Sequence, residues 1–142
     1  MLLTLEKILI LKTVPLFKDI PEPALADFIS SAEELAAVEG SDLLNVNDEW
    51  SDMYVVLQGR LRVHKDGKTL KELGNTSVLG VLYALDPSVS GVAVSVLEDT
   101  TLFRVPSETL YQLMSEHKSL EKAIIGSLCG QLRDLSGDTP LF

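Results

Sequence analysis

Asp52-Met53-Tyr54-Val55-Val56-Leu57-Gln58-Gly59-Arg60-Leu61-Arg62-Val63 is the stretch on which the fold turns. Two β-type runs, residues 53–57 and 60–64, meet at Gly59, where a residue without Cβ permits a sharp bend or a bulge. In the second run polar and apolar residues alternate, so Leu61 and Val63 share one face and His64 lies on the other. Lys65-Asp66-Gly67-Lys68 follows, and its Asp-Gly pair predicts a two-residue hairpin turn that fixes the register. Outward from this hairpin, further β-type runs occur at residues 35–38, 43–46, 69–73, 92–97 and 101–105, separated by Gly, Asp, Asn or Pro. Seven or eight short strands of this kind predict a roll, sandwich or barrel.

Helical periodicity flanks the strands. Residues 3–12 place Leu5, Ile8, Leu9 and Lys12 at helical spacing with apolar neighbours all round, which predicts a helix covered on more than one side. The Pro-bounded stretch Val14-Pro15-Leu16-Phe17-Lys18-Asp19-Ile20-Pro21 interrupts it, and residues 23–32 resume with Ala24, Leu25, Phe28 and Ile29 as a stripe. After Pro106, Ser107 is the expected cap, Glu108 suits the positive end of a helix, and Leu110, Leu113 and Met114 form a face. A last helix is expected from about Ser119. Its apolar residues, among them Leu120, Ile124, Ile125, Leu128 and Leu132, cover roughly 240° of arc, more than one docking face needs. Those five residues are the expected contact with a neighbouring domain or a second copy. Gly126 and Gly130, each costing about 1 kcal/mol in a helix interior, point to the close approach of another backbone.

Length and charge narrow the classes. A chain of 142 residues, 46% hydrophobic, suits one domain over residues 1–142 with its own core. The formal charge of −9 repels phosphate backbones, so direct contact with nucleic acid is not expected. No apolar run approaches the roughly 20 residues of a membrane span, and direct contact with a membrane is not expected either. One cysteine, Cys129, makes no internal disulfide, has no zinc-ligand spacing around it, and is expected to be an inert core or interface thiol. A cytoplasmic setting fits this usage.

The whole pattern resembles the cyclic-nucleotide-binding domain family. Val14-Pro15-Leu16-Phe17-Lys18-Asp19-Ile20-Pro21 is similar to a phrase that opens such domains, and Asp52 to Val63 matches their central strand, Gly, strand signature. The resemblance implies an α+β, mainly β fold: an eight-stranded antiparallel double-stranded β-helix, or jelly roll, at residues 34–105. N-terminal helices at 1–33 and two C-terminal helices at 107–135 complete it. It also implies a phosphate cradle after the middle strands, with the form Gly, Asp, any residue, Phe, Gly, Glu, followed by Pro-Arg and Ala-Thr or Ala-Ser. Here those places hold Thr76, Ser77, Val78, Leu79, Gly80 and Val81, then Pro87, Ser88, Val89, Ser90 and Gly91. In the family the Glu accepts a hydrogen bond from the ribose hydroxyl and the Arg pairs with the cyclic phosphate; Val81 and Ser88 supply neither. Losing two charge-assisted hydrogen bonds of about 1.5–3 kcal/mol each weakens binding by roughly two to four powers of ten.

The expectation is therefore a degenerate member: a regulatory or interaction module, not an enzyme, needing no cofactor and not binding cAMP or cGMP in the usual way. Leu79, Gly80, Val81, Leu82, Ser88, Val89 and Ser90 mark the place of the cradle, which Val81, Leu82, Tyr83, Leu85 and Val89 are expected to fill. The alternative is a sensor that takes a nucleotide or another small molecule in the remodelled cradle and signals through the last helix. Family transcription factors continue into a helix-turn-helix after such a domain. Its absence here, with an apolar helix beginning almost at Met1, leads to the expectation of a module of a larger protein.

Other chemistry-bearing residues have plainer readings. His64 stands alone without the His and carboxylate ligands that a cupin-like metal enzyme needs, and His117 is expected late in a helix. No Ser or Cys has a base and an orienting acid paired with it by sequence. Asp48, Glu49 and Asp52 fit a solvated loop, since the alternating oxygen ligands and turn Gly of a calcium loop are missing. Trp50, inside this polar loop, is expected as a lid on the core.

Overall fold

A computed structural model of the protein describes residues 2–140. Helix α1 (Thr4–Lys12), a 3₁₀ turn (Pro15–Phe17) and α2 (Glu22–Ser31) come first. They lead into β1 (Glu33–Ala37), β2 (Asp42–Leu44), β3 (Glu49–Trp50), β4 (Asp52–Lys65), β5 (Lys68–Leu73) and β6 (Val78–Leu79). After these come α3 (Val81–Leu85), β7 (Ser88–Val89), β8 (Ala93–Pro106), α4 (Ser107–Glu116) and α5 (Lys118–Ser136). The eight strands form an antiparallel roll: β1, β8, β4 and β5 lie side by side, β2 joins β8, β6 joins β4, and β3 pairs with β7 as a separate ribbon.

The strand runs on either side of Gly59 join into one strand, β4, and those on either side of residues 98–100 join into β8. What the sequence reads as a break is a kink. The β4 and β8 register shifts three times between Val56 and Leu61. Gly59 has φ +128°, and a Cβ there would lie 2.2 Å from Thr100 Oγ1 and 2.7 Å from Thr100 Cα. The two strands touch at this point, which only glycine allows. Its N–H donates to Asn75 Oδ1 at 2.9 Å, so the bulge is held from outside the ladder. At the far end of β4, Asp66 and Gly67 both take positive φ, as the predicted Asp-Gly hairpin turn requires.

Alternation along β4 and β8 sends neighbouring side chains into two separate cores. Met53, Val55, Leu57, Phe103 and Val105 face the helices and pack with Leu11, Phe17, Phe28, Leu110, Leu120 and Ile124. Phe28 joins the layers, with its ring centroid 4.9 Å from Phe17 and 6.2 Å from Phe103. Tyr54, Val56, Leu61, Val94, Val96 and Leu102 face the inside of the roll, with Leu44, Trp50 and Leu73. Trp50 is thus the lid that the sequence predicts, 3% exposed over the inner core.

Three local expectations change. Helix α1 is not covered all round: Leu11 is buried, but Leu5 and Leu9 are more than half exposed. Pro106, still paired with Asp52 at the end of β8, takes the cap position of α4, and Ser107 becomes the first helical residue with no side-chain cap bond. The backbone N–H of Ser107 donates instead to Ser51 O at 3.0 Å. His117 lies between helices and not late in one: with φ −129° and ψ 98° it ends α4 and begins α5. Its Nε2 sits 2.7 Å from Asp27 Oδ2, tying this junction to α2.

Candidate functional site

The region between β6 and β7 is built on one glycine. Val78 and Leu79 pair with Val55 and Tyr54 of β4, and Gly80 then turns the chain with φ +82°. A Cβ on Gly80 would lie 2.5 Å from Asp52 O, so this turn also presses directly on β4. From Gly80 the chain enters α3, where the N–H groups of Tyr83 and Ala84 both donate to Gly80 O. Tyr111 Oη of α4 donates to Leu85 O at 2.6 Å and holds the far end. The chain returns as β7, with Ser88 opposite Trp50 and Val89 opposite Glu49.

Side chains of this segment divide three ways, and only some fill space as expected. Tyr83 meets Trp50 edge to face at 4.9 Å, while Val81 and Leu85 pack against the helical core. Leu82 and Val89 do not fill the cradle; each is more than half exposed, because Leu82 lies on the outer side of the short helix and β7 has a partner strand on one edge only. Ser88 is exposed, and Ser90 Oγ is occupied, accepting from Val92 N–H at 3.2 Å. The inside of the roll is filled by Tyr54, Val56, Leu61, Val94, Val96 and Leu102, each no more than 4% exposed. Burial, followed by the Asp52 carboxylate, pushes the Tyr54 phenol up to about 12. Tyr54 Oη donates to Asp52 Oδ2 at 3.4 Å, so its polar end has a partner inside the wall.

A cavity of about 200 Å³ lies between α3 and α5. Val78 to Tyr83 and Trp50 form one wall; Ile124, Ser127, Leu128 and Gln131 form the other, with Leu16 between them. None of these residues is charged. The Trp50 Nε1–H is buried with no hydrogen-bond partner, and an unmade bond of this kind costs about 1–3 kcal/mol.

Helix α5 changes character along its length. Of the residues expected to meet a partner, Leu120 and Ile124 are 3% and 1% exposed and belong to the chain's own helical core. Leu128 is half-buried at the cavity, and Ile125, Leu132 and Leu135 are exposed. Half of the wide apolar arc thus closes the domain itself, and the other half stays uncovered. Gly126 and Gly130 have nothing within 4 Å of an added Cβ, so among the described residues no other element approaches them closely. Cys129 is half-buried beside Leu132 on the same helix.

The histidines are occupied structurally. Ser95 Oγ donates to Asp42 Oδ1 at 3.0 Å, and His64 Nε2 lies 2.7 Å from Ser95 Oγ. The carboxylate bonds the hydroxyl and not the imidazole, the reverse of the order that makes serine a nucleophile. Asp48 accepts from Asn45 N–H at 2.9 Å, and Glu49 lies in β3, so the acidic residues around Trp50 order a turn. No described helix is long and apolar enough to cross a membrane.

Comparison with known proteins places the geometry. The family model for the cyclic nucleotide-binding domain matches residues 36–117. Among curated proteins, the chain is 33% identical over 119 residues to patatin-like phospholipase domain-containing protein 6 of Pongo abelii, covering 77% of this chain and 9% of that protein. It is 29% identical over 122 residues to lysophospholipase NTE1 of Phaeosphaeria nodorum, covering 82% of this chain and 8% of that protein. The chain therefore spans less than a tenth of either relative. Among solved structures, the N-terminal domain of a transcriptional regulator from Streptomyces coelicolor superposes with a TM-score of 0.81 at 20% identity, covering 92% of this chain and 97% of that one. The catabolite activator protein of Thermus thermophilus superposes with a TM-score of 0.77 at 21% identity, covering 86% of this chain and 60% of that one.

Proposed function

The chain belongs to the cyclic nucleotide-binding domain family, and from that membership we propose that it is a regulatory and interaction module whose cradle does not take cAMP or cGMP in the usual way. The observation that carries this reading is the packing inside the roll. Aliphatic side chains, Tyr54 and the Trp50 lid occupy the space in front of a cradle that offers Val81 and Ser88 where the resemblance implies a carboxylate and a guanidinium. An anion entering there finds Val81 and Ser88 in place of a charged pair, and the Arg104 guanidinium near Tyr54 is already paired with Glu33 at 2.8 Å, in a chain of net charge −9.

Function then lies with α5. The uncovered residues Ile125, Leu132 and Leu135 form the contact with a neighbouring domain of a larger chain or with a second copy. The two curated relatives, many times longer than the matched stretch, support the role of a part within a larger protein and not a catalytic role for this part itself. Isothermal titration with cAMP and cGMP is expected to show no binding below millimolar concentration; micromolar binding of either overturns the reading. Sedimentation of the parent and of Leu132→Glu tests the helix, with a self-association of the parent that the variant loses as the expected result for a second copy.

A second reading is favoured by the uncharged cavity between α3 and α5: a sensor for a small neutral molecule, signalling through the same helix.

A further inference from the structure

We propose that the β4–β5 hairpin is a docking surface for a short acidic segment of a partner protein, one that carries an apolar side chain among its carboxylates. Charge distribution is the first observation. Residues 60–72 hold five of the chain's twelve basic residues, Arg60, Arg62, Lys65, Lys68 and Lys71, and two of its twenty-one acidic ones, Asp66 and Glu72. The hairpin therefore carries +3 in a chain of −9, and the rest of the chain carries −12.

Little of that positive charge is answered within the protein. Arg60 pairs with Glu72 at 3.1 Å, but among the described residues Arg62, Lys65, Lys68 and Lys71 have no carboxylate at ion-pair distance. Neutral acceptors hold Arg62. Its Nε donates to Thr69 Oγ1 at 2.6 Å and its Nη2 to Gly67 O at 3.1 Å, which fixes the guanidinium and leaves its charge uncompensated. Lys65 lies directly opposite Lys68, a like-charge pair that works against the turn and that a carboxylate placed between the two relieves.

Shape supplies the apolar requirement. Strand β5 ends the sheet, with β4 on one edge and no strand on the other among the described residues, and every residue from Lys65 to Glu72 is exposed. Val63 pairs with Lys71 and His64 with Thr69, so the register shift leaves Leu70 as the extra residue of β5. Leu70 is 54% exposed, with Lys68 and Lys71 close to it in the chain. The partner's size follows from the charges. A bilayer or a nucleic-acid duplex brings its anionic surface against the −12 body as well as the hairpin. A segment a few residues long meets the hairpin alone, because charges more than roughly 8 Å away are largely screened at physiological salt. A second hairpin is repelled by the same lysines, which with the bulge discourage edge-to-edge pairing. Exposed ion pairs are individually weak, so recognition uses several of the four free cations together and falls with salt.

The test is a titration of the ¹⁵N-labelled full chain with an oligoglutamate peptide containing one central leucine, followed through backbone amide resonances. At about 50 mM salt the peptide is expected to move the resonances of residues 62–72 saturably, and at about 500 mM its affinity is expected to fall about tenfold or more. Lys65→Glu combined with Lys68→Glu, both at exposed positions, is expected to weaken binding by about tenfold or more while the rest of the spectrum stays in place. Leu70→Ser is expected to remove the preference for this peptide over plain oligoglutamate. Hairpin resonances that do not move, or a double variant that binds as tightly as the parent, overturn the proposal. So does tighter binding to phosphatidylserine–phosphatidylcholine vesicles or to duplex DNA than to the peptide, which assigns the surface to a lipid or a nucleic acid. Self-association at low salt that the double variant abolishes also overturns it, in favour of a second copy. None of these outcomes bears on the nucleotide and Leu132→Glu results, because the hairpin variants leave the roll interior and α5 unaltered.

Discussion

The two cores on either side of the β4–β8 pair are made from the same two strands yet do different things. On the helix side, Phe17, Phe28 and Phe103 interlock with Leu11, Leu110 and Ile124, and every helical element except α3's outer turn is anchored there. On the roll side the side chains are mostly shorter, Val56, Val94 and Val96 among them, and the two aromatic residues at the edge, Trp50 and Tyr54, carry polar ends. One core binds elements together. The other fills the inside of the roll. The difference teaches that the helices are tied to the sheet by one core alone, so the other core can be altered without touching the contacts that seat them.

The most severe way to break both cores at once is Gly59→Ala. Its Cβ meets the Thr100 backbone at 2.7 Å and its φ of +128° is one that side chains rarely adopt, so backbone strain and overpacking add. A loss of about 3–6 kcal/mol in urea unfolding is expected. Phe28→Ala and Leu102→Ala then sharpen the contrast, since each truncates a fully buried residue on one side only. Phe28→Ala is expected to cost about 3–5 kcal/mol and Leu102→Ala about 2–5. A Leu102→Ala cost below about 1 kcal/mol would mean that the roll interior is loosely filled, contrary to the proposed closure.

The smallest effect appears only in alkali. Burial and then the Asp52 carboxylate hold the Tyr54 phenol up to about 12 against an ordinary 10.0, so the folded protein keeps this proton where the unfolded chain loses it. The stabilisation from Tyr54 is complete below pH 10 and is lost as pH rises from 10 to 12. Tyr54→Phe, which has no proton to lose, is expected to show a flatter fall of the urea midpoint than the parent across that window.

Local words in the sequence carried most of the fold. The Gly59 kink, the Asp66-Gly67 turn, the Pro-bounded break before α2 and the Trp50 lid each depend on a few neighbouring residues whose chemistry has one convenient solution. For the segment proposed as the cradle, the sequence shows which residues it holds and not which of them point inward. Val81 and Ser88 announce the missing charges, but whether Leu82 and Val89 point inward is decided by the direction of α3 and by the free edge of β7. The helical wheel of α5 gave the breadth of its apolar arc without saying that Leu120 and Ile124 close the domain while Ile125 and Leu132 remain outside. Ser107 and His117 were misplaced for a related reason: a strand end and a helix junction are tertiary facts, set here by Asp52 and by Asp27.

The long pairing of β4 with β8 also bears on how the chain reaches this state. Asp52 lies opposite Pro106 and His64 opposite Ala93, partners 54 and 29 residues apart in sequence. Almost nothing in the central ladder is local, so its closure entropy is spent before either core can form. Domains dominated by such distant pairings fold on the order of milliseconds to seconds. The β4–β5 hairpin, with its tight turn, is the one part of the ladder able to assemble on a microsecond scale, and it becomes the template on which β8 must arrive.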